Sequence, residues 1–290
     1  MLSRTKVLMG TFVTLSLEEK NKQYFQPAFK ILENIESSLS SYDTNTTIYR
    51  LNQKKSVLLD AYTYEALTLS SKYYKNTDGY FNIAIGAITK DMYHFGEEEE
   101  KVAKREDLQR SSIDFTTLFF DKNRAILGED VKIDLGGMGK GYGVDKVIEF
   151  FNIHHVKEAR VALSGDIRCI GSCTMHIKNP FRKKSLATFS MKNMGISTSG
   201  NYRRFVKSET HNHLINPKTK SSQQNFISIS LISKLPNATL DAYTTAVSVM
   251  PKQKAFEFLN SLAIGYIILD SEKKLWISEN LEQYVDNLQF

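Results

Sequence analysis

Four glycines fall within six residues of KIDLGGMGKGYGVDKVIEFF, the segment from Lys132 to Phe151. They are Gly136, Gly137, Gly139 and Gly141. Glycine lets backbone N–H groups approach a ligand closely, and the start of a helix attracts anions. The segment therefore predicts either a phosphate-binding turn, to which Lys140 adds a cation, or a tight strand-to-helix turn made for close packing. Its spacing matches neither G-x-G-x-x-G nor G-x-x-x-x-G-K-[ST], which excludes the Rossmann and Walker loops.

A second candidate site lies in NATLDAYTTAVSVM, where Asp241 and Thr245 are four residues apart on a predicted helix. This spacing places both side chains on the same side of the helix. A carboxylate and a hydroxyl so arranged can share a hard cation, and Mg²⁺ takes few protein ligands, which leaves positions for phosphate oxygens. The alternative is an acidic residue near the start of a helix with an ordinary threonine beside it.

Two further segments carry polar groups suited to catalysis or phosphate binding. The segment ISTSGNYRRF, residues 196 to 205, is rich in hydroxyl groups that can donate to phosphates. In HNHLINPKTK, His213 precedes a polar turn at Asn216-Pro217. Histidine is suited to general-base catalysis near neutral pH. A structural histidine beside a turn is the alternative interpretation.

Composition bounds the class of protein. The chain has 290 residues, of which 41% are hydrophobic and 24% are charged, and its net charge is +6. This is enough for one large domain or two closely packed lobes. Lys and Arg are scattered, and the densest acidic run, Glu97 to Glu100, is followed directly by Lys101. Nucleic-acid binding is not indicated, because it needs clustered basic residues and a reading element.

The two cysteines, Cys169 and Cys173, are spaced C-x3-C, which is neither a redox C-x-x-C pair nor half of a zinc site. We expect two separate small core residues, since a disulfide would need a sharp bend between them. The chain enters the strand-like run VLMGTFVTLSLE within its first ten residues, and we see no signal peptide and no transmembrane-length apolar run. This start fits a cytoplasmic protein and, equally, an exported protein whose leader has been removed.

Hydrophobic periodicity predicts an α+β protein without regular βαβ alternation. In the first half we predict a strand over 5–17, a helix over 23–39, a loop over 40–52, a helix over 64–74 and an exposed loop or short helix over 97–110. In the second half we predict a strand ending at Asp134, a helix over 142–151, a strand over 158–171, antiparallel strands within 174–232, helices over 240–249 and 253–262, a strand over 264–270 and a short final helix.

In their order, several segments resemble the ApbE family of flavin transferases. The matching segments are Met9-Gly10-Thr11, Ser41-Tyr42, Ile48 with Leu51-Asn52, TDGYFN at 77–82, IDLGGMGKGYGVD at 133–145, SGD at 164–166, STSGNYRRF at 197–205, HLINP at 213–217 and DAYTTAV at 241–247. They cover nearly the whole chain colinearly. The resemblance implies one ApbE-like, T-fold-related domain over residues 1–290, with mixed or antiparallel sheets flanked by helices in two closely packed lobes.

The resemblance also implies a Mg²⁺-dependent FAD:protein FMN transferase. Such an enzyme cleaves FAD, attaches FMN through a phosphoester bond to a threonine or serine of a target flavoprotein, and releases AMP. The acceptor carries a D-x-x-[ST]-G-A-T type motif and is a membrane redox subunit or another exported flavoprotein. Family members mostly work on the periplasmic side of the bacterial inner membrane, often as lipoproteins, although the lipid-bearing cysteine is absent from these residues.

Carried over residue by residue, the resemblance implies three kinds of site residue. The metal positions fall on Asp241, Thr245 and the backbone carbonyl of Gly137. The catalytic positions are Asp241 and His213, with His213 as the base for the accepting hydroxyl. The flavin contacts fall on Met9, Tyr42, Tyr80, Phe81, Asn82, Asp134, Lys140 and Ile215.

The sequence departs from the family pattern at three positions. Asn216 replaces the usual Asp of H-x-x-D-P, Ser164 replaces the first glycine of G-G-D, and Asn82 replaces the usual Asp after the aromatic residue. These changes affect the expected positioning of the base and the flavin. Two other functions remain open on the sequence: an FAD pyrophosphatase, in which water accepts the FMN phosphate, and a non-catalytic FAD-binding protein.

Overall fold

An eight-stranded antiparallel sheet dominates the fold of this computed structural model, which describes residues 1–95, 101–201, 205–206, 208 and 211–290. The sheet order is β1-β2-β6-β7-β10-β13-β14-β15. Its strands are β1 (Leu2–Leu8), β2 (Thr11–Leu17), β6 (Ala159–Leu163), β7 (Asp166–Ile170), β10 (Gly195–Gly200), β13 (Phe226–Ser233), β14 (Gly265–Asp270) and β15 (Leu275–Ile277). The acidic run at residues 97–100 and residues 202–204 of the hydroxyl-rich segment lie outside the described residues.

Seven α-helices accompany the sheet in the described part of the chain. They are α1 (Phe25–Leu39), α2 (Thr47–Lys54), α3 (Ala61–Asn76), α4 (Arg105–Arg110), α5 (Gly139–Ile153), α6 (Asn237–Val249) and α7 (Lys252–Asn260). A π-helix spans Ala87–Met92. Helix α6 is buried along almost its whole length, because it packs against both α5 and the strands β10 and β13. The α5–α6 crossing therefore lies at the centre of the fold.

Smaller sheets complete the described architecture. They are β3-β5-β4 (Ser56–Leu58, Arg124–Ile126 and Phe119–Phe120), β11-β12 (Ile215–Asn216 and Ser221–Ser222) and β16-β9-β8 (Asp286–Gln289, Ala187–Lys192 and Ser172–Ile177). Successive residues of a strand point to opposite faces. Accordingly, Leu231 packs into the core shared with the helices, whereas its neighbour Ile232 packs into a second core with β8 and β9. The large sheet is thus covered on both faces at β13.

The α+β class with a large antiparallel sheet flanked by helices confirms the fold predicted from the sequence. The predicted helices are present as α1, α3, α5, α6 and α7, with ends that differ by a few residues. Helix α1 shows why such prediction works: Phe25, Phe29 and Leu32 recur at helical spacing and are fully or almost fully buried. Strands predicted within 174–232 and over 264–270 are also present.

Two predicted single strands were wrong, because each is a hairpin. The first bends at Met9 and Gly10 (φ +53° and +67°), and the second bends at Ser164 (φ +56°) and Gly165. Left-handed backbone is unusual for residues with a side chain. Met9 and Ser164 are therefore weak turn signals, and the alternating pattern runs through both turns without a visible break.

Other boundaries also needed correction. Residues 40–52 are not all loop, since Thr46 accepts a hydrogen bond from the Tyr49 N–H and begins α2. The strand expected before the glycine segment is reduced to a single parallel bridge between Ile85 and Lys132. The expected final helix is only a 3₁₀ turn, Leu281–Gln283, between β15 and β16.

The expectation of two separate cysteines was wrong, because Cys169 and Cys173 form a disulfide. Cys169 lies near the end of β7 and Cys173 near the start of β8. Between them Gly171 has φ +76°, which supplies the sharp bend that such a short spacing requires.

None of the helices in the described ranges combines the length and the hydropathy needed to cross a bilayer.

Candidate active site

A cleft of about 1000 Å³ lies beside the glycine segment and the first turns of α6. Every residue that the sequence predicted for the site lines it: Met9, Tyr42, Tyr80, Phe81, Asn82, Asp134, Gly137, Lys140, His213, Ile215, Asp241 and Thr245. These residues come from segments spread over more than two hundred positions of the chain. Their roles remain predictions, but the fold brings all of them to one cavity.

The three oxygen donors predicted for a metal line the same cleft, two of them on α6 and one in the glycine segment. The Thr245 hydroxyl donates to the Gly137 carbonyl at 3.2 Å, and Asp241 lies one turn earlier on the same helix. A Cβ on Gly137 would come within 3.1 Å of the Thr245 methyl group, so a side chain there would crowd the donors. The carboxylate, hydroxyl and carbonyl are hard ligands and suit Mg²⁺. In the described ranges, no three His, Cys, Asp or Glu side chains gather as an alternative metal cluster.

Lys140 lies between two buried carboxylates rather than extending freely toward a flavin. Its Nζ is 3.0 Å from Asp241 Oδ2 and 3.1 Å from Asp166 Oδ2. Asp166 and Asp241 are 1% and 2% exposed. Burial by itself would lower the pKa of Lys140, but the two carboxylates raise it above its usual range, so the ammonium keeps its charge. Lys140 therefore pairs with two carboxylates, one of which, Asp241, is a predicted metal ligand.

Asp166 is the site residue that the sequence analysis did not identify. It was noticed only as the third residue of SGD. Its Oδ1 accepts a 2.6 Å hydrogen bond from the Ser197 hydroxyl. Burial, and then the nearby Asp241 carboxylate, raise the pKa of Asp166, whereas Lys140 and Ser197 act in the opposite direction. Its only sequence signal was its place in the matched segment SGD, and the contact with Lys140 depends on tertiary structure.

Tyr42 and Asp134 form a second wall of the cleft. The Tyr42 hydroxyl donates to the Phe95 carbonyl at 2.8 Å, and the Lys90 ammonium lies 3.1 Å from the centre of the Tyr42 ring. Asp134 accepts from the Thr89 hydroxyl at 2.8 Å and from the Gly136 N–H at 2.9 Å. Lys90 therefore covers one face of the ring, and the predicted π contact with a flavin would use the other.

The segment from Tyr80 to Asn82 is fixed by its own hydrogen bonds and by packing. The Phe81 N–H donates to Thr77 Oγ1 at 2.9 Å, and the Phe81 ring is buried. Asn82 donates from its amide nitrogen to the Ile113 carbonyl at 2.9 Å and accepts from the Ala84 N–H at 2.8 Å. An ionised aspartate could accept but not donate, so the amide suits this position.

A backbone hydrogen bond fixes Met9 at the edge of the cleft, and packing in an apolar cluster fixes Ile215. The Met9 N–H donates to Glu36 Oε1 at 2.7 Å within the β1–β2 turn. Ile215 is buried in a small apolar cluster that also contains Phe95. Both residues line the cleft mainly as apolar surface, which suits a planar aromatic ligand.

His213 stands half-buried at the wall of the cleft. Its ring packs edge-on to Phe95, with ring centres 6.4 Å apart. Nearby, Asn216 donates to the Val249 carbonyl at 2.8 Å and accepts from the Lys218 N–H at 2.8 Å. The amide therefore anchors β11 to the end of α6, and an ionised aspartate could not make the first of these bonds.

Fold and cleft together define an α+β protein whose large antiparallel sheet supports a cleft lined by the three oxygen donors predicted for a metal. The comparison with known families is specific: residues 9–268 match the model of the ApbE family. The chain belongs to the ApbE family. This confirms the resemblance seen in the sequence motifs.

Individual relatives agree with this assignment. The chain is 27% identical over 264 residues to the FAD:protein FMN transferase of Haemophilus influenzae, covering 82% of this chain and 76% of that protein. It is 23% identical over 295 residues to the enzyme of the same name from Treponema pallidum, covering 89% and 81%. The ApbE protein of Thermotoga maritima has the same fold, with a TM-score of 0.88, 23% identity and 98% coverage of both chains. The flavin transferase ApbE of Vibrio cholerae aligns with a TM-score of 0.82 at 19% identity, again over 98% of both chains.

Proposed function

We propose that this chain is a Mg²⁺-dependent FAD:protein FMN transferase, folded as one domain over residues 1–290. It would cleave FAD, attach FMN to a threonine or serine of a target flavoprotein and release AMP. One observation carries the proposal: the Gly137 carbonyl, Asp241 and Thr245 lie together in a cleft whose other walls hold the predicted flavin contacts. A volume of about 1000 Å³ is at the upper end of ordinary ligand pockets, as a dinucleotide requires.

The residues around the cleft would have different roles in metal binding, FAD binding and proton transfer. Asp241, Thr245 and Gly137 would hold the ion, which when bound would neutralise negative charge on the pyrophosphate oxygens. Tyr42, which is exposed, would pack against an aromatic part of FAD. The acceptor hydroxyl oxygen forms the new bond to the FMN phosphorus, and the bond from that phosphorus to the bridging oxygen breaks. AMP leaves with that oxygen, and His213 takes the hydroxyl proton.

The acceptor and the location follow from the family as part of the proposal. The acceptor would carry a D-x-x-[ST]-G-A-T type motif on a membrane redox subunit or another exported flavoprotein. The place of action would be the periplasmic side of the bacterial inner membrane. The Cys169–Cys173 disulfide supports this placement, because disulfides persist in oxidising compartments.

The proposal is tested by mass spectrometry of an acceptor domain with the sequence D-x-x-T-G-A-T, incubated with the protein, FAD and Mg²⁺. We expect the acceptor to gain the mass of one FMN, with AMP formed in equal amount. An unmodified acceptor with accumulating FMN and AMP would identify an FAD pyrophosphatase instead. Bound but intact FAD would identify a non-catalytic flavin-binding protein. Replacing the acceptor threonine by valine is the control, and it should abolish the mass gain.

The His213→Gln variant is expected to transfer FMN about a hundredfold more slowly, since a positioned base contributes roughly 10²–10⁴-fold. Its affinity for FAD should change little if the imidazole acts on the acceptor hydroxyl. Single-turnover transfer and FAD fluorescence measure the two quantities separately. A transfer rate equal to that of the unmodified protein would remove His213 from the mechanism.

A further inference from the structure

Asp166 is a buried acidic residue behind the cleft wall, in contact with the cleft residue Lys140, and the proposed function gives it no role. We propose that Asp166 is a positioning residue: it retains Lys140 beside the metal donors while Asp241 exchanges the Lys140 ammonium for a divalent cation. The inference rests on the proposed function in one respect, namely that a divalent cation binds at Asp241.

The position of Asp166 is fixed independently of Lys140. The Ser197 hydroxyl, on β10, donates to Asp166 Oδ1 at 2.6 Å, and the same hydroxyl lies 3.1 Å from the Thr244 hydroxyl on α6. Asp166 itself begins β7 in the centre of the large sheet. Its other oxygen, Oδ2, therefore faces Lys140 from a rigid support.

The position of Asp241 is fixed in a similar way. Its Oδ2 accepts the Gly141 N–H at 3.1 Å and lies 3.0 Å from the Lys140 ammonium. Asp241 is nevertheless the carboxylate on the same helix face as Thr245, beside the Gly137 carbonyl. The Lys140 ammonium thus occupies part of the coordination space that a cation at Asp241 would need.

The charge balance of the cluster determines how Lys140 responds when a cation binds. Two nearly fully buried carboxyl groups share one ammonium in this cluster. A cation and an ammonium on the same carboxylate repel each other, and buried charges are stable only when paired. Asp166 resolves this conflict, because Lys140 can keep a carboxylate partner at 3.1 Å after Asp241 has turned to the cation. Lys140 then remains next to the site where phosphate oxygens would lie.

This arrangement predicts opposite effects for two single substitutions. Removing the ammonium in Lys140→Met eliminates the competitor and leaves two carboxylates facing the cation. Removing the charge in Asp166→Asn leaves Asp241 as the remaining carboxylate partner of Lys140 among the described contacts, so the ammonium competes more strongly. A charge at this distance changes the affinity of a carboxylate for a cation by about tenfold or more.

The experiment is calorimetric titration of Mg²⁺ alone, without FAD, into the full chain and its variants. We expect Lys140→Met to bind Mg²⁺ about tenfold more tightly and Asp166→Asn about tenfold more weakly. The double variant should bind Mg²⁺ about as tightly as Lys140→Met, because Asp166→Asn has no ammonium to release once Lys140 is gone. Additive effects, which would bring the double variant back to the affinity of the unmodified protein, would show that Asp166 acts independently of Lys140 and would overturn the proposal.

Lys146→Met is the matched control. Lys146 lies on the same helix α5, with its ammonium 2.7 Å from Glu65 and outside the cleft lining. Its substitution removes the same charge and should leave Mg²⁺ affinity unchanged. If both lysine variants gained the same Mg²⁺ affinity, the gain would come from the change in net charge alone, and the inference would be wrong. If Asp166→Asn does not fold, Ser197→Ala takes its place: it removes the 2.6 Å hydrogen bond that fixes Asp166 and should also weaken Mg²⁺ binding, and an unchanged affinity would overturn the proposal. An unmodified protein that binds no Mg²⁺ would count against the metal in the proposed function, which is a separate failure.

Discussion

Replacing Asp241 by alanine is expected to lower FMN transfer about a thousandfold, the scale seen when one group that stabilises transition-state charge is removed. Asp241 is the only carboxylate among the three predicted metal donors, so its loss removes the charge that attracts the cation. Thr245 and the Gly137 carbonyl remain, but both are neutral. FAD should still enter the cleft, with weakened affinity, because the aromatic walls are unchanged.

The Asp241→Ala protein should remain folded. Lys140 keeps Asp166 as a partner at 3.1 Å, so no unpaired charge is left in the interior. The Gly141 N–H loses its acceptor at 3.1 Å, and an unsatisfied buried donor costs about 1–3 kcal/mol. We therefore expect a modest decrease in the free energy of unfolding, distinct from the loss of transfer.

Transfer is measured by acceptor mass, FAD affinity by flavin fluorescence and stability by denaturant unfolding. Asp241→Asn is the matched variant, since it conserves the size of the side chain and removes its charge. It should lose transfer nearly as completely as the alanine variant. Asp130→Ala removes an exposed carboxylate that does not line the cleft and should behave as the unmodified protein. Full activity of Asp241→Ala would refute the assignment of the metal site.

The sequence alone was a good guide to the fold wherever local pattern and tertiary packing agreed. The apolar positions of α1 and α6 recur at helical spacing, so both helices could be predicted to within a few residues. The hairpins were missed although Gly10 and Gly165 follow Met9 and Ser164, because the alternating pattern continues through both turns and because Met9 and Ser164 are residue types that rarely adopt left-handed backbone. In the same way, the bend at Gly171 that pairs the cysteines could be seen only in three dimensions.

For the site, motif resemblance placed twelve residues that the fold then gathered into one cleft. The motifs could not predict which charged side chains contact each other. Lys140 and Asp241 are 101 residues apart in the chain, yet their charged atoms are 3.0 Å apart. Spacing along the chain carries no information about such a pair, so the sequence predicted neither the contact of Lys140 with Asp241 nor a role for Asp166. These partners depend on how α5 packs on α6.

The packing of α5 on α6 explains why Gly141 of the glycine segment has no side chain. A Cβ added to Gly141 would overlap the Asn237 carbonyl at the start of α6, and Gly141 also donates its N–H to Asp241. Of the two interpretations offered by the sequence, close packing therefore accounts for Gly141. A tight helix crossing here sets the distance between the glycine segment, with its Gly137 carbonyl, and the Asp241 and Thr245 side chains on α6.

Gly141→Ala is therefore expected to destabilise the protein by about 1–3 kcal/mol, the usual range for overpacking in a close-packed core. FMN transfer should fall at temperatures where the protein is still folded, because α6 must shift away from the Gly137 carbonyl. The free energy of unfolding and the transfer rate at a temperature well below the unfolding midpoint separate the two effects.

Gly139→Ala provides the control on the same helix. A Cβ at Gly139 would meet no atom within 4 Å, and alanine favours helical backbone by roughly 0.5–1 kcal/mol over glycine. This variant should be at least as stable as the unmodified protein, and because Gly139 lines the cleft it serves as a control for stability only. If Gly141→Ala behaved in the same way, the α5–α6 crossing would be able to widen without moving the oxygen donors. The close approach of the helices would then not be what holds the site together.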